Sequence, residues 1–233
     1  MTTKDSVFVT KKNGIYYQLG ENNKIIRFKP WLGDIFSFLY DRIMEKSVFP
    51  KKFDGSISQH FKILKIEFQD LHHKNIVELA CGSGNAVEFL PHDNKYTGVD
   101  ISKGLLLIAK KKFDRCGFGN AEFCLADVCD LPFLDHCFDI TICNLSLNFF
   151  QDMDGFISEL KRVLKHDAVF YCSIAVPEKT KPKARIHGIL YTAEELKKKF
   201  QEHQFVYEEL PYENGALLYF KATAKNKQSA KEY

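Results

Sequence analysis

The chain lacks most of what would place it outside the ordinary globular class. No apolar run approaches the ~20 residues that a membrane-spanning helix needs. The opening stretch, "MTTKDSVFVTKKNG", is too polar for a secretory signal. No CxxC pair occurs. The cysteines at 81, 116, 124, 129, 137, 143 and 172 are odd in number and have no metal spacing, so they read as reduced, mostly buried thiols. That usage points to a cytoplasmic protein with no metal site. The net charge of only +3 supplies no broad basic footprint for nucleic acid. There is no internal repeat and no linker rich in Gly, Pro or Ser. What is left is 233 residues, enough for one sizeable α/β core.

Residues 7–28 have the pattern of short strands. "FVTKKNGIYYQL" contains Asn13-Gly14, a hairpin signal because both residues tolerate positive φ. "NKIIRF" predicts a further strand. After Pro30, "WLGDIFSFLYDRIMEK" spaces Ile35, Phe38, Leu39 and Ile43 as a helix does, and a second such pattern follows Ser56, a plausible N-cap. From residue 75 strands and helices alternate, which predicts a parallel sheet with helices on both faces. Thr192 with Glu195 forms a capping box before the last helix. The final two strands, "FVYEELPY" and "ALLYFKATA", have so short a connection that they must pair antiparallel.

The chemistry concentrates in "IVELACGSGNAV", Ile76 to Val87. An apolar strand ends in Gly82 and Gly84, and an apolar pattern then resumes as the predicted start of a helix. Such a turn lets ligand atoms reach bare backbone and a helix N-terminus. It reads equally as a tight loop that needs positive φ. The next strand, "YTGVDIS", ends in Asp100, placed to accept hydrogen bonds from a ribose diol, with Ser102 competing for the N-cap role. The third ends in "LADVCDLPF", where Asp127 can accept from an exocyclic amine. Three successive strand ends thus suit an adenosine. A nicotinamide dinucleotide fits less well, because Val87 stands where its GxGxxG fingerprint has the third glycine.

These segments, with "FDITICNLSLNFF" and "FISELKRVLK", resemble the ordered motifs of class I S-adenosylmethionine-dependent methyltransferases, in particular the small-molecule, quinone-biosynthesis-like group. The resemblance spans about residues 74–224. It implies a seven-stranded, mostly parallel Rossmann-like sheet in the order 3-2-1-4-5-7-6, with the last strand antiparallel. Residues 71–225 would bind S-adenosyl-L-methionine, residues 1–70 would form a hairpin and helical lid on the substrate side, and residues 226–233 a solvated tail. Carried across, Glu78, Ala80, Cys81, Gly82, Ser83 and Gly84 would face the methionine part of the cofactor. Asp100 would hold the ribose and Ile101 pack on adenine, with Asp127 and Val128 at the adenine amine. Asn144 and Leu145 would lie near the transferred methyl. Where the family often has Pro-Gly-Gly before the fifth strand this chain has "KHDA", and Asn85 replaces a family glycine.

A base is needed only if the acceptor carries a proton. Asn144, His187 and Tyr40 are the expected catalytic candidates, although His187 and neighbouring Tyr191 read first as surface or lining residues and only second as catalysts. Asn148 and Phe149 point into a pocket or sit in the core. The lysine runs "AKKKF" and "LKKKF" read first as solvated helix faces and second as an RNA-contacting stripe. The expected partner is a small-molecule methyl acceptor, with no membrane span. The alternatives are a tRNA or other macromolecule methyltransferase, and a cofactor-binding regulatory protein without catalysis.

Overall fold

The computed structural model describes residues 3–4, 7–20, 22–29, 39–182 and 184–225. Nine strands form one sheet: β1 (Val9–Lys12), β2 (Ile15–Gln18), β3 (Asn75–Leu79), β4 (Lys95–Asp100), β5 (Ala121–Leu125), β6 (Phe138–Asn144), β7 (Leu164–Ala175), β8 (Phe205–Glu209) and β9 (Leu217–Ala224). Their order is β1-β2-β5-β4-β3-β6-β7-β9-β8. Counted from β3, the last seven stand in the expected order 3-2-1-4-5-7-6. Only β9 runs against both its neighbours, β7 and β8. The pairs from β5 through β7 are all parallel.

Adjacent strand residues point to opposite faces, and each face has its own core. Val77, Cys124 and Phe170 pack on one side against α4 (Met153–Val163) and α5 (Ala193–Glu202) through Phe156, Leu160 and Phe200. Ile76, Tyr96 and Phe123 pack on the other against α2 (Ile57–Phe68) and α3 (Lys103–Arg115) through Phe68, Leu106 and Phe113. Tyr96 stacks on Phe113 at 4.4 Å between ring centroids. Burying one such ring contributes about 2–3 kcal/mol. The helices start where the sequence places their caps. Ser56 Oγ accepts the Gln59 N–H, Ser102 Oγ accepts the Leu105 N–H at 3.1 Å, and Thr192 and Glu195 close their capping box.

Several expectations need correction. The Asn13-Gly14 turn forms, with φ of 53° and 77°. However, β2 then pairs in parallel with β5, so the hairpin extends the sheet sideways and does not cover the strand ends as a lid. The sheet therefore has nine strands rather than seven. "NKIIRF" supplies one isolated bridge, Leu19 to Ile25, and no strand. Trp31, Ile35 and Phe38 lie outside the described residues, as does the tail 226–233. The part of the predicted lid helix that is described begins as α1 (Tyr40–Ile43) and widens into a π-helical stretch, Met44–Phe53, with Pro50 inside it. Pro50 lacks an N–H and cannot take its place in a regular ladder.

The helix expected after Gly84 is also absent. Asn85–Glu88 makes a single 3₁₀ turn. Pro91 follows within one turn, and six residues are too few to repay helix nucleation.

Candidate active site

β3 delivers the chain to the turn at Ala80, whose φ is +54°, and Gly82 and Gly84 follow at +55° and +74°. The two glycines have different causes. A Cβ on Gly82 would come no closer than 3.7 Å to Tyr40, so the position is open and only its φ favours glycine. A Cβ on Gly84 would sit 2.7 Å from the Cβ of Ala109, so Gly84 lets the turn close onto α3. Cys81 is buried and tied down by its N–H, which donates to Val99 O at 2.9 Å.

Asp100, at the end of β4, is buried and holds the turn. Its Oδ2 accepts the Gly82 N–H and its Oδ1 the Ser102 N–H, both at 2.8 Å. Ser102 is the N-cap, as expected. These two backbone bonds orient the Asp100 carboxylate. Glu78 lies beneath the turn, accepting Tyr96 O–H at 2.5 Å on Oε2 and Asn144 Nδ2 at 3.4 Å on Oε1. Burial raises its pKa to about 7, against the lowering effect of the Tyr96 and Asn144 bonds; the nearby charge of Asp100 raises it further. Asn144 is itself oriented by Ser173, whose hydroxyl donates to its Oδ1 at 3.0 Å. Leu145 takes a φ of +58° at the end of β6.

The ends of β3, β4 and β5 line one cavity of about 570 Å³. Ala80 and Gly82 come from the first, Asp100 and Ile101 from the second, Asp127 and Val128 from the third. Ile101 is 42% exposed, an apolar side chain held at the cavity wall. Asp127 is exposed and braced by the Cys129 N–H at 2.9 Å. Phe149, 50% exposed, lines the opposite wall; Asn148 does not. A smaller cavity of about 50 Å³ lies on the other side of the turn, among Glu78, Ser83, Asn144 and Leu145 and a group of aromatic residues that includes His60. Tyr40, Ala80, Gly82 and Ser146 border both.

The catalytic candidates separate here. Asn144 and Tyr40 face the cavities. His187 does not: its side chain is exposed and lines neither cavity, and its carbonyl accepts a hydrogen bond from Asn148 Nδ2. That bond fixes the loop, and the imidazole stays in solvent. Tyr40 is close to the reacting region, but burial and the charges of Asp100, Asp41 and Glu78 push its pKa far up. Its phenol thus holds its proton firmly.

Asp41, next to Tyr40, is tied into the glycine turn. Its Oδ1 accepts Ser83 Oγ at 2.5 Å, and its Oδ2 meets Lys112 Nζ at 2.9 Å. Lys112 also donates to Asn85 Oδ1 at 2.6 Å. Burial works against the Asp41 charge, but Ser83, Lys112 and Asn85 outweigh it and hold the carboxyl below its usual value. This network fastens α1 over the glycine turn. It also accounts for one lysine of "AKKKF". Lys110 pairs with Asp114, while Lys197, Lys198 and Lys199 face Glu194, Glu202 and Asp154, the pattern of solvated faces.

The comparisons agree with this geometry. Residues 77–172 match the family model described as a methyltransferase domain. The chain is 31% identical over 96 residues to the uncharacterised methyltransferase YcgJ of Bacillus subtilis, covering 41% of this chain and 38% of that protein. It is 29% identical over 111 residues to a fatty-acid O-methyltransferase of Mycolicibacterium smegmatis, covering 46% of this chain and 39% of the relative. The match thus spans well under half the length of these curated relatives. Among solved structures, an S-adenosylmethionine-dependent methyltransferase from Aquifex aeolicus superposes with a TM-score of 0.61 at 16% identity, covering 78% of this chain and 95% of that one. Residues 77–172 are thus similar to a methyltransferase domain, and the strand order and the three lined strand ends agree with that likeness.

Proposed function

We propose that the protein transfers the methyl group of S-adenosylmethionine to a small molecule. The observation that carries this is the 570 Å³ cavity at three neighbouring strand ends, with Asp100 held at its floor by two backbone N–H groups. The residues present fit the cofactor. Asp100 brings a carboxylate to the cavity where a ribose diol would lie, Ile101 and Val128 offer apolar contact to a purine, and Asp127 can accept from its amine. Gly82 leaves the main chain uncovered next to Tyr40. The bound sulfonium would supply an activated methyl group with a neutral thioether as leaving group.

The chain's own contribution is orientation and exclusion of water. The turn is fixed by Asp100, the fourth strand end by Ser173 through Asn144, and α1 by Asp41 and Lys112. Orientation of this kind can supply roughly 7–11 kcal/mol of the barrier. Tyr40, kept protonated and lining both cavities, would be the donor available to a bound group at their junction. The segment 39–53 serves as the substrate-side cover, and the hairpin does not. A relative named for a fatty acid supports a small apolar acceptor, and the pairing of Lys110, Lys197, Lys198 and Lys199 with acids argues against those two runs as an RNA-contacting stripe.

Titration calorimetry with S-adenosylmethionine, followed by turnover with labelled methyl over small-molecule extracts, tests the proposal. Binding with turnover supports it. Binding without turnover on any extract favours a regulatory cofactor-binding protein. No binding refutes it.

A further inference from the structure

The smaller cavity contains a buried histidine that the account so far leaves unused. His60, on α2, is 2% exposed. Its Nδ1 lies 2.9 Å from the hydroxyl of Tyr219, on β9. The direction of that hydrogen bond is fixed from the far end. The Ser56 N–H donates to Asn214 Oδ1 at 2.8 Å, and Asn214 Nδ2 donates to Ser56 O at 3.0 Å, so the backbone orients the amide. The same Nδ2 donates to the Tyr219 hydroxyl at 3.2 Å. Tyr219, 2% exposed, thereby accepts from Asn214, and donation to His60 Nδ1 is what gives its own buried proton a partner.

His60 Nδ1 is then an acceptor, and the ring proton of the neutral imidazole sits on Nε2. Burial lowers the pKa of His60 to about 3, so the ring is neutral at ordinary pH. Burial likewise raises Tyr219 to about 12, so the phenol keeps the proton it donates. Nε2, on the opposite edge of the ring, has no hydrogen-bond partner among the described residues. The remaining wall nearby is apolar: Met44, Phe49, Ile57, Phe61 and Phe89. The Phe49 ring lies 5.4 Å from the imidazole. His60 lines the smaller cavity, so a guest there can reach the ring.

We propose that His60 Nε2–H is a specificity-determining donor for a neutral oxygen of the methyl acceptor: a carbonyl, ether or hydroxyl oxygen on an otherwise apolar group. This rests on the methyltransferase reading above. A neutral oxygen is favoured over a carboxylate because none of the described lining residues is a Lys or Arg, and Glu78 already occupies one wall. A second anion buried there would meet no cation. The size limits the group as well: about 50 Å³ holds only a few heavy atoms beyond the cofactor, so His60 grips one end of the acceptor. Tyr219 and Asn214 are positioning residues that set the tautomer.

Long-range proton–nitrogen NMR of the histidine side chains tests this, with acetone and acetate as probes, in the presence and absence of S-adenosylhomocysteine. The expected spectrum shows His60 neutral at pH 7 with the proton on Nε2. Acetone should shift that Nε2–H in a saturable way, and acetate should not. Tyr219→Phe should move the tautomer balance toward Nδ1–H, and His60→Phe should abolish the acetone response while changing S-adenosylhomocysteine affinity less than twofold. An Nδ1–H tautomer in the wild type, a response to acetate alone, or no response to either probe would overturn the assignment. A tenfold loss of S-adenosylhomocysteine affinity in His60→Phe would also overturn it, assigning the histidine to the cofactor's carboxylate. Failure of S-adenosylhomocysteine to bind the wild type refutes the methyltransferase reading separately, and the acetone arm is then read on the free protein.

Discussion

Asp100 and Gly82, eighteen residues apart in sequence, are joined by a 2.8 Å hydrogen bond from the Gly82 N–H to Asp100 Oδ2. The bond couples the glycine turn after β3 to the end of β4. The backbone that would approach a ligand and the carboxylate that would hold its ribose therefore move as one piece.

Asp100→Ala removes both the proposed ribose contact and the brace on Gly82. It should weaken S-adenosylmethionine binding by about 1–3 kcal/mol, the cost of lost hydrogen bonds at a buried site, or roughly 5- to 150-fold. Titration calorimetry reads this directly, and unchanged affinity would contradict the ribose role.

The two turn glycines should respond differently to alanine. At Gly82 there is room for a Cβ, so Gly82→Ala pays only for its left-handed φ, about 1–2 kcal/mol. At Gly84 the added Cβ meets both Cα and Cβ of Ala109 within 2.8 Å, so overpacking adds about 1–3 kcal/mol to that cost. Chemical denaturation of the two variants should rank Gly84→Ala as the less stable. Equal losses would mean that the turn does not press on α3.

Glu78 should make stability fall as pH rises. Its pKa is raised from 4.5 to about 7 in the folded protein. A raised carboxyl pKa contributes fully below the unfolded value, and that contribution is lost as pH rises through the folded value. The window is therefore about pH 4.5 to 7, and the total is on the order of 3 kcal/mol at one pKa unit per 1.36 kcal/mol. Glu78→Gln should remove this slope in denaturant titrations at pH 5 and pH 8. A slope unchanged in the variant would assign it elsewhere.

Asp41 has the opposite sign. Its folded pKa is lowered, so its contribution is present above the ordinary carboxyl value of 3.8 and is lost as pH falls through the folded one. The Asp41–Lys112 pair is half-exposed, which limits its coupling to about 1 kcal/mol or less. A double-mutant cycle of Asp41→Asn and Lys112→Met should return a small favourable coupling in cofactor affinity. Strict additivity would show that the pair does not fasten α1 over the turn.

The strand ends were legible because their signals are local. An apolar run, a glycine pair or a terminal aspartate each states its place within about six residues, and the order of the seven-stranded core followed from the resemblance those segments carry. The helix after Gly84 was misread because the apolar residues Ala86, Val87, Phe89 and Leu90 imitate an amphipathic start. They are buried on the turn, and Pro91 ends the run. The sideways pairing of β2 with β5 had no local sign, since register between segments a hundred residues apart is a tertiary choice. His60 left one trace: a polar residue on the same helix face as Ile57, Ile63 and Leu64. Its partner Tyr219 is 159 residues away, beyond the reach of any periodicity.

The central claim is most directly tested by a crystal structure of the protein with S-adenosylhomocysteine. The ribose hydroxyls should lie within hydrogen-bond distance of Asp100, with the adenine against Ile101 and Val128 and its amine toward Asp127. A ligand found away from these three strand ends, or bound with its ribose facing solvent, would contradict the account.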